Sequence, residues 1–236
     1  MRRRLLLLSA AALLWMGDQK VGVVNASVHS LQRNAKNLIS VPAVGDVLIT
    51  DEVIKRVVGA AEGNLTAYGK INPNYYGHTD PGDSKANKGW CSMSPQREGI
   101  SGNISIEEAD RICLEKEAKP RMRKLIKQAQ DLDFDIDLLQ FLNAVDLAIQ
   151  SPEASLGWSD GLNKGYISNL LEMMNKGLTG NEAILSGRVE SFKNSSTGRY
   201  EAWVGKDGLT HDQKRRMNEI EDTVKALSEQ GKLAKK

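Results

Sequence analysis

Apolar positions fall at helical spacing through most of this chain, with one long interruption. Val53, Ile54, Val57, Val58 and Ala61 share one face of an α-helix, and Thr50 or Asp51 supplies its N-cap. The run ends at Glu62. Gly63 then acts as a helix stop, because glycine takes a positive φ without steric cost. Residues 65–102 lose the period and are rich in Gly, Asn, Asp, Pro and Tyr, which reads as loop with a short hairpin at most. Loops of that length inside compact domains are usually functional.

The helical period then returns. Ser105, with Glu108 three residues on, reads as a capping box. Ile106, Ala109, Ile112 and Cys113 share a face, Pro120 marks a break or kink, and Met122, Leu125, Ile126 and Ala129 form the next stripe. The most apolar stripe runs through Ile136, Leu138, Leu139, Leu142, Val145 and Ile149, and is expected at the centre of the core; Ser151 and Pro152 end it. Two further helices are expected around Tyr166–Met174 and Ala183–Phe192, and a final amphipathic one over Asp212–Leu227. The expected fold class is mainly α: one helical domain with a polar loop or short β-hairpin excursion after its first core helix, a possible wall for a cleft.

Composition narrows the function classes. Hydrophobic residues make up 40% and charged residues 26%, ordinary for a folded protein. The formal charge is +2, and −1 without Arg2, Arg3 and Arg4. A near-neutral chain argues against nucleic acid as a partner. Those arginines precede an apolar run, Leu5 to Gly17, too short for a membrane span of about 20 residues but suited to a secretory signal. No clean A-x-A site ends it, so an uncleaved anchor is the alternative. The expected organisation is a signal peptide or anchor over 1–22, a lead-in arm over 23–48, one domain over 49–228 and a polar tail over 229–236. Location is then secreted or periplasmic, with membrane contact only through the N-terminal segment. Cys91 and Cys113 pair or stay as free buried thiols; both readings stand open. No zinc spacing is seen, and no metal or cofactor is expected.

Glu62 is the leading candidate for chemistry. The negative end of a helix dipole and partial burial both oppose a charged carboxylate there. A carboxylic acid held neutral is what protonates the leaving oxygen in glycoside hydrolysis. The plainer reading is a solvated Glu ending a helix. Glycosidases commonly use a second carboxylate, and Asp80 is the candidate. Tyr75, Tyr76 and Trp90 offer aromatic faces for sugar rings, while His78, Asp83 and Asn87 offer hydrogen bonds to hydroxyls. The competing account is turn chemistry around Asp80-Pro81-Gly82-Asp83, with His78 as a loop anchor or, with Asp80 and Asp83, a metal ligand. No G-x-S-x-G elbow or phosphate loop occurs. Asn143 and Asp146 sit inside the most apolar helix and must be hydrogen-bonded; Arg188 is a partner for Asp146 or for Glu62. The charged run 212–216 reads as a solvated helix face.

The segment Val57-Val58-Gly59-Ala60-Ala61-Glu62-Gly63-Asn64 resembles the catalytic helix of the lysozyme-like superfamily, in particular phage-type endolysins and muramidases with a Glu-Gly-Thr or Glu-Gly-Asn ending. The stretch from Tyr75 to Asp83 resembles exported bacterial proteins associated with it. The resemblance implies that Glu62 is the catalytic acid, that a polar loop or hairpin forms one cleft wall, and that a helical lobe completes the fold. It implies a polysaccharide substrate, peptidoglycan first and a chitin- or chitosan-like polymer next, cleaved by hydrolysis or lytic transglycosylation. The alternative is a non-catalytic exported protein that binds glycan or serves the envelope structurally.

Overall fold

Thr50 opens the first helix: its hydroxyl accepts from Val53 N at 3.3 Å, and α1 runs Asp51–Ala61. This computed structural model describes residues 43–80, 84–96, 99–100, 103–202 and 204–235. The leader, most of the lead-in arm and Asp83 lie outside the described residues. Within them the chain is mainly helical, with seven helices and two small antiparallel hairpins early in the sequence.

The first hairpin pairs β1 (Ala43–Val44) with β2 (Val47–Leu48) at the end of the lead-in arm. The second pairs β3 (His78–Thr79) with β4 (Ala86–Asn87) inside the polar excursion. Between α1 and β3 lies a 3-10 turn, Pro73–Tyr76. Ser105 accepts from Glu108 N at 3.1 Å and starts α2. This helix runs Ile106–Ile112, passes through a π-helical turn, Cys113–Ala118, and continues over Lys119–Asp131. Pro120 therefore does not break the helix. It has no N–H to give to an i−4 carbonyl, and it falls just after the π turn, where the regular ladder is already interrupted.

α3 (Leu138–Gln150) begins with a full capping box between Asp137 and Gln140. Phe141, Leu142, Ala144, Val145 and Leu147 are completely buried along it. It touches α1, α2, the short α4 (Pro152–Leu156), α6 (Gly180–Glu190) and α7 (Gly205–Glu229), which makes it the central helix. α5 (Tyr166–Asn175) packs on α6, where Gly187 lets the backbones approach: a Cβ there would lie 3.1 Å from Leu170 Cα. The final helix starts seven residues before the amphipathic stripe that marks it in the sequence. The polar tail packs back on the start of the domain. Leu48 N donates to Ala234 O at 2.9 Å, and Lys232 pairs with Glu52 at 3.0 Å. Among the described residues, no helix is long and apolar enough to cross a membrane.

Cys91 and Cys113 form a disulfide, which joins the excursion to the π turn of α2. That bond is consistent with an oxidising compartment.

Candidate active site

The end of α1 is held by a tight turn. Gly63 takes φ +76°, and its N–H donates to Ala60 O at 2.9 Å while Asn64 N and Leu65 N both donate to Gly59 O. Such a left-handed C-cap satisfies carbonyls that the helix leaves open. Asn64 is fully buried, and its amide nitrogen donates to Trp90 O at 3.1 Å and to Ser92 Oγ at 2.9 Å. The residue after Glu62-Gly63 thus ties the helix end to the far side of the excursion. Glu62, at the C-cap itself, keeps 15% of its side-chain exposure.

Glu62 faces a cleft of about 620 Å³. The β3–β4 hairpin forms one wall through His78, Asp80 and Asn87. His78 and Asn87 are register partners across that hairpin, so their side chains leave the sheet on the same face. The end of α3, the segment after α6 and the first half of α7 supply the rest, including Gln150, Glu201, Asp212, Arg215 and Arg216. Four of the lining residues are carboxylates and two carry guanidinium groups.

A buried polar network runs from the cleft into the core and back. Arg216 Nη2 donates to Glu62 Oε1 and, at 2.8 Å, to Asp146 Oδ1. Asp146 also accepts from Arg216 Nε at 3.1 Å and from Arg188 Nη2 at 2.7 Å. Arg188 Nη1 is shared by the backbone and side-chain oxygens of Asn143, and its Nε donates to Gln213 Oε1 at 2.8 Å. Gln213 then reaches Gln150, and Gln150 reaches Asp212 on the cleft wall, both at 3.0 Å. Asp146 and Arg188 are wholly buried. Burial is the largest influence on Asp146 and opposes its charge, but Arg216 and Arg188 outweigh it and hold the carboxyl below its usual range. Burial depresses Arg188 against the pull of Asp146, whereas Arg216, between Asp146 and Glu62, is pushed up despite burial.

Arg215 adds a second clamp. Its Nη1 donates to Ala61 O at 3.0 Å, placing a cation on the negative end of α1. Neighbouring arginines of α7 thus hold the last carbonyl of α1 and the carboxylate that follows it.

The sequence candidates divide. Glu62, His78, Asp80 and Asn87 line the one cleft. His78 Nδ1 lies 3.0 Å from Asn74 O, a loop-anchoring contact. Trp90 is in the core, 1% exposed, and its backbone N–H donates to Asp110 at 3.0 Å. Tyr75 is buried with its hydroxyl on Asp110 at 2.8 Å; burial, then that hydrogen bond, push its phenol well up and keep it neutral. Tyr76 is 64% exposed and meets Tyr75 edge-on, outside the cleft lining. Asp83 lies outside the described residues. Among the described residues, no cluster of three or more His, Cys, Asp or Glu side chains is arranged to hold a metal ion.

Arg216 and Gln213 are the residues that the sequence reading missed. The 212–216 run is not simply a solvated face, since both are buried. The signal was present: Gln213, Arg216, Ile220, Thr223 and Leu227 follow the alternating three- and four-residue spacing of one inward stripe. An arginine in such a stripe calls for a buried acid. No family model, curated protein or solved structure matches this chain.

Proposed function

We propose that this chain is an exported glycan-cleaving enzyme acting on an amino-sugar polymer, with Glu62 as general acid and Asp80 as the second carboxylate. The observation that carries this reading is that Glu62, ending α1, and Asp80, following β3, line the same cleft. One ends the first core helix and the other belongs to the polar excursion, and the cleft between them has hydrogen-bonding walls. Glu62 gives a proton to the glycosidic oxygen as the C–O bond breaks. Asp80 stabilises the positive charge on the sugar ring or activates the incoming water. Arg216 fixes the Glu62 side chain, and Arg215 and Gly63 fix the helix end that bears it. The disulfide fits delivery to an oxidising compartment.

Peptidoglycan, chitin and chitosan are the substrates to compare. The excess of carboxylates over guanidinium groups along the cleft favours a polymer with free amines. Purified protein, Glu62→Gln and Asp80→Asn are assayed for release of soluble oligosaccharide from all three. Cleavage by the wild type, with loss of at least about a hundredfold in Glu62→Gln while circular dichroism is unchanged, supports the reading. Full activity in Glu62→Gln overturns it.

The Arg216–Glu62 ion pair favours a second reading, a glycan-binding protein that does not cut. A carboxylate held by a guanidinium at a cleft wall is suited to bind a polar group of a glycan. Saturable binding of the same polymers without any turnover selects this alternative.

A further inference from the structure

Asn87 carries two observations that hairpin architecture leaves unexplained. It is 2% exposed, yet it lines the cleft. Its Nδ2 donates to Asp80 Oδ2 at 3.2 Å, while its Oδ1 is buried and has no partner. The orientation of this amide follows from chemistry. A carboxylate only accepts, so the amide nitrogen must face Asp80, and the oxygen is turned elsewhere. A buried carbonyl without a donor is a cost that stable folds avoid. A hydrogen-bonding cavity wall is one place where such a cost is accepted, because a ligand supplies the missing partner.

We propose that Asn87 is a positioning and specificity residue: its Nδ2 orients Asp80, and its Oδ1 accepts from a hydroxyl or amine N–H of the bound glycan. The inference rests on the glycan-cleaving reading and deepens it. The ring beside Asp80 is recognised through a donor group. A carbonyl or carboxylate at that point meets an acceptor and is rejected. His78 shares the face of the hairpin with Asn87, and both line the cleft.

The test separates the two ends of the amide. Asn87→Asp keeps an acceptor oxygen and loses the N–H that holds Asp80; Asn87→Leu is near in volume and loses both. On whichever of the three polymers the wild type cleaves, Asn87→Asp is expected to lower kcat by about tenfold or more with KM within about threefold. Asn87→Leu is expected to lower kcat similarly and also to raise KM by about tenfold, the value of one hydrogen bond. Its melting temperature should stay level or rise, because an unpaired buried acceptor has gone. Equal KM in the two variants overturns the proposal, as does unchanged kinetics with a lower melting temperature, the mark of a purely structural anchor. Asn87→Ala replaces the Leu variant if that chain does not fold. If the wild type cleaves none of the polymers, the cleaving reading has failed on its own. Binding of glucosamine and N-acetylglucosamine hexamers, followed by NMR, then decides the acceptor: weaker binding in Asn87→Leu than in Asn87→Asp supports it, and equal or absent binding overturns it.

Discussion

Asp146 and Arg216 join the centre of the fold to the cleft: the carboxylate accepts from Nε at 3.1 Å and from Nη2 at 2.8 Å, and that same Nη2 reaches Glu62. The pair connects α3, α7 and the end of α1. Since α1 and α7 both pack on α3, the apolar contacts set the helix positions and the network fixes their register. The position of Glu62 is therefore tied to buried charges.

Asp146→Asn should be strongly destabilising. It leaves Arg188 wholly buried without a counter-charge, and breaking one side of a buried pair costs about 3–5 kcal/mol. The pH dependence has a definite sign. The carboxyl of Asp146 is depressed in the fold, so its contribution is complete above the unfolded value near 3.8 and is lost as pH falls through the lower, folded value. Urea unfolding at pH 7 and pH 3 checks both points. Asn should remove part of the acid sensitivity, and a change under about 1 kcal/mol at pH 7 would mean that the network carries little energy.

Arg216→Lys tests whether the guanidinium geometry matters rather than its charge. A single ammonium cannot repeat a two-point contact with Asp146 while reaching Glu62. The expected loss is about 2–3 kcal/mol. A double-mutant cycle with Glu62→Gln should give a coupling energy of about 1–3 kcal/mol, and additivity within about 0.5 kcal/mol would show the contact to be energetically idle.

Local pattern exposed much of this in the sequence. The α1 stripe, its stop at Gly63 and the apolar α3 are each written in neighbouring residues. So is the candidate acid, because a carboxylate at a helix end next to glycine is visible without tertiary contacts. What was hidden depended on distant pairing. Arg216 lies 154 residues from Glu62, and its charge looked solvated beside Lys214 and Arg215. Trp90 looked sugar-facing because aromatic residues suit both cores and glycan sites. Its burial in the core, 1% exposed, shows that it faces inward, while its backbone is held by Asn64 and Asp110. Pro120 marks a place where the regular helical ladder is interrupted, but nothing in the composition of 113–118 announces that the interruption is a π turn.

Gly59→Ala should destabilise although alanine is the better helix former. A Cβ at this position would meet Leu65 Cδ1 at 2.6 Å and Cγ at 2.8 Å. Leu65 is buried and is held through its N–H on Gly59 O, so the side chain has little room to turn away. Overpacking of this kind costs about 1–3 kcal/mol. Thermal unfolding measures it, and Leu65→Ala in the same chain should restore part of the loss.

Breaking the Cys91–Cys113 bond should affect the cleft wall more than the helical body. The two cysteines are 22 residues apart, and closing a loop of that size contributes about 3 kcal/mol in the chain-entropy account. Paired Cys→Ser replacements should lower stability by that order and leave the core helices formed, because α3 does not depend on the bond. The local effect should be greater. Lys88 and Met93 exchange backbone hydrogen bonds at 3.0 and 2.9 Å beside Cys91, which itself lines the cleft. Their amides should lose hydrogen-exchange protection well before those of α3. Equal protection with and without the bond would mean that Asn64, through Trp90 O and Ser92 Oγ, holds this wall by itself.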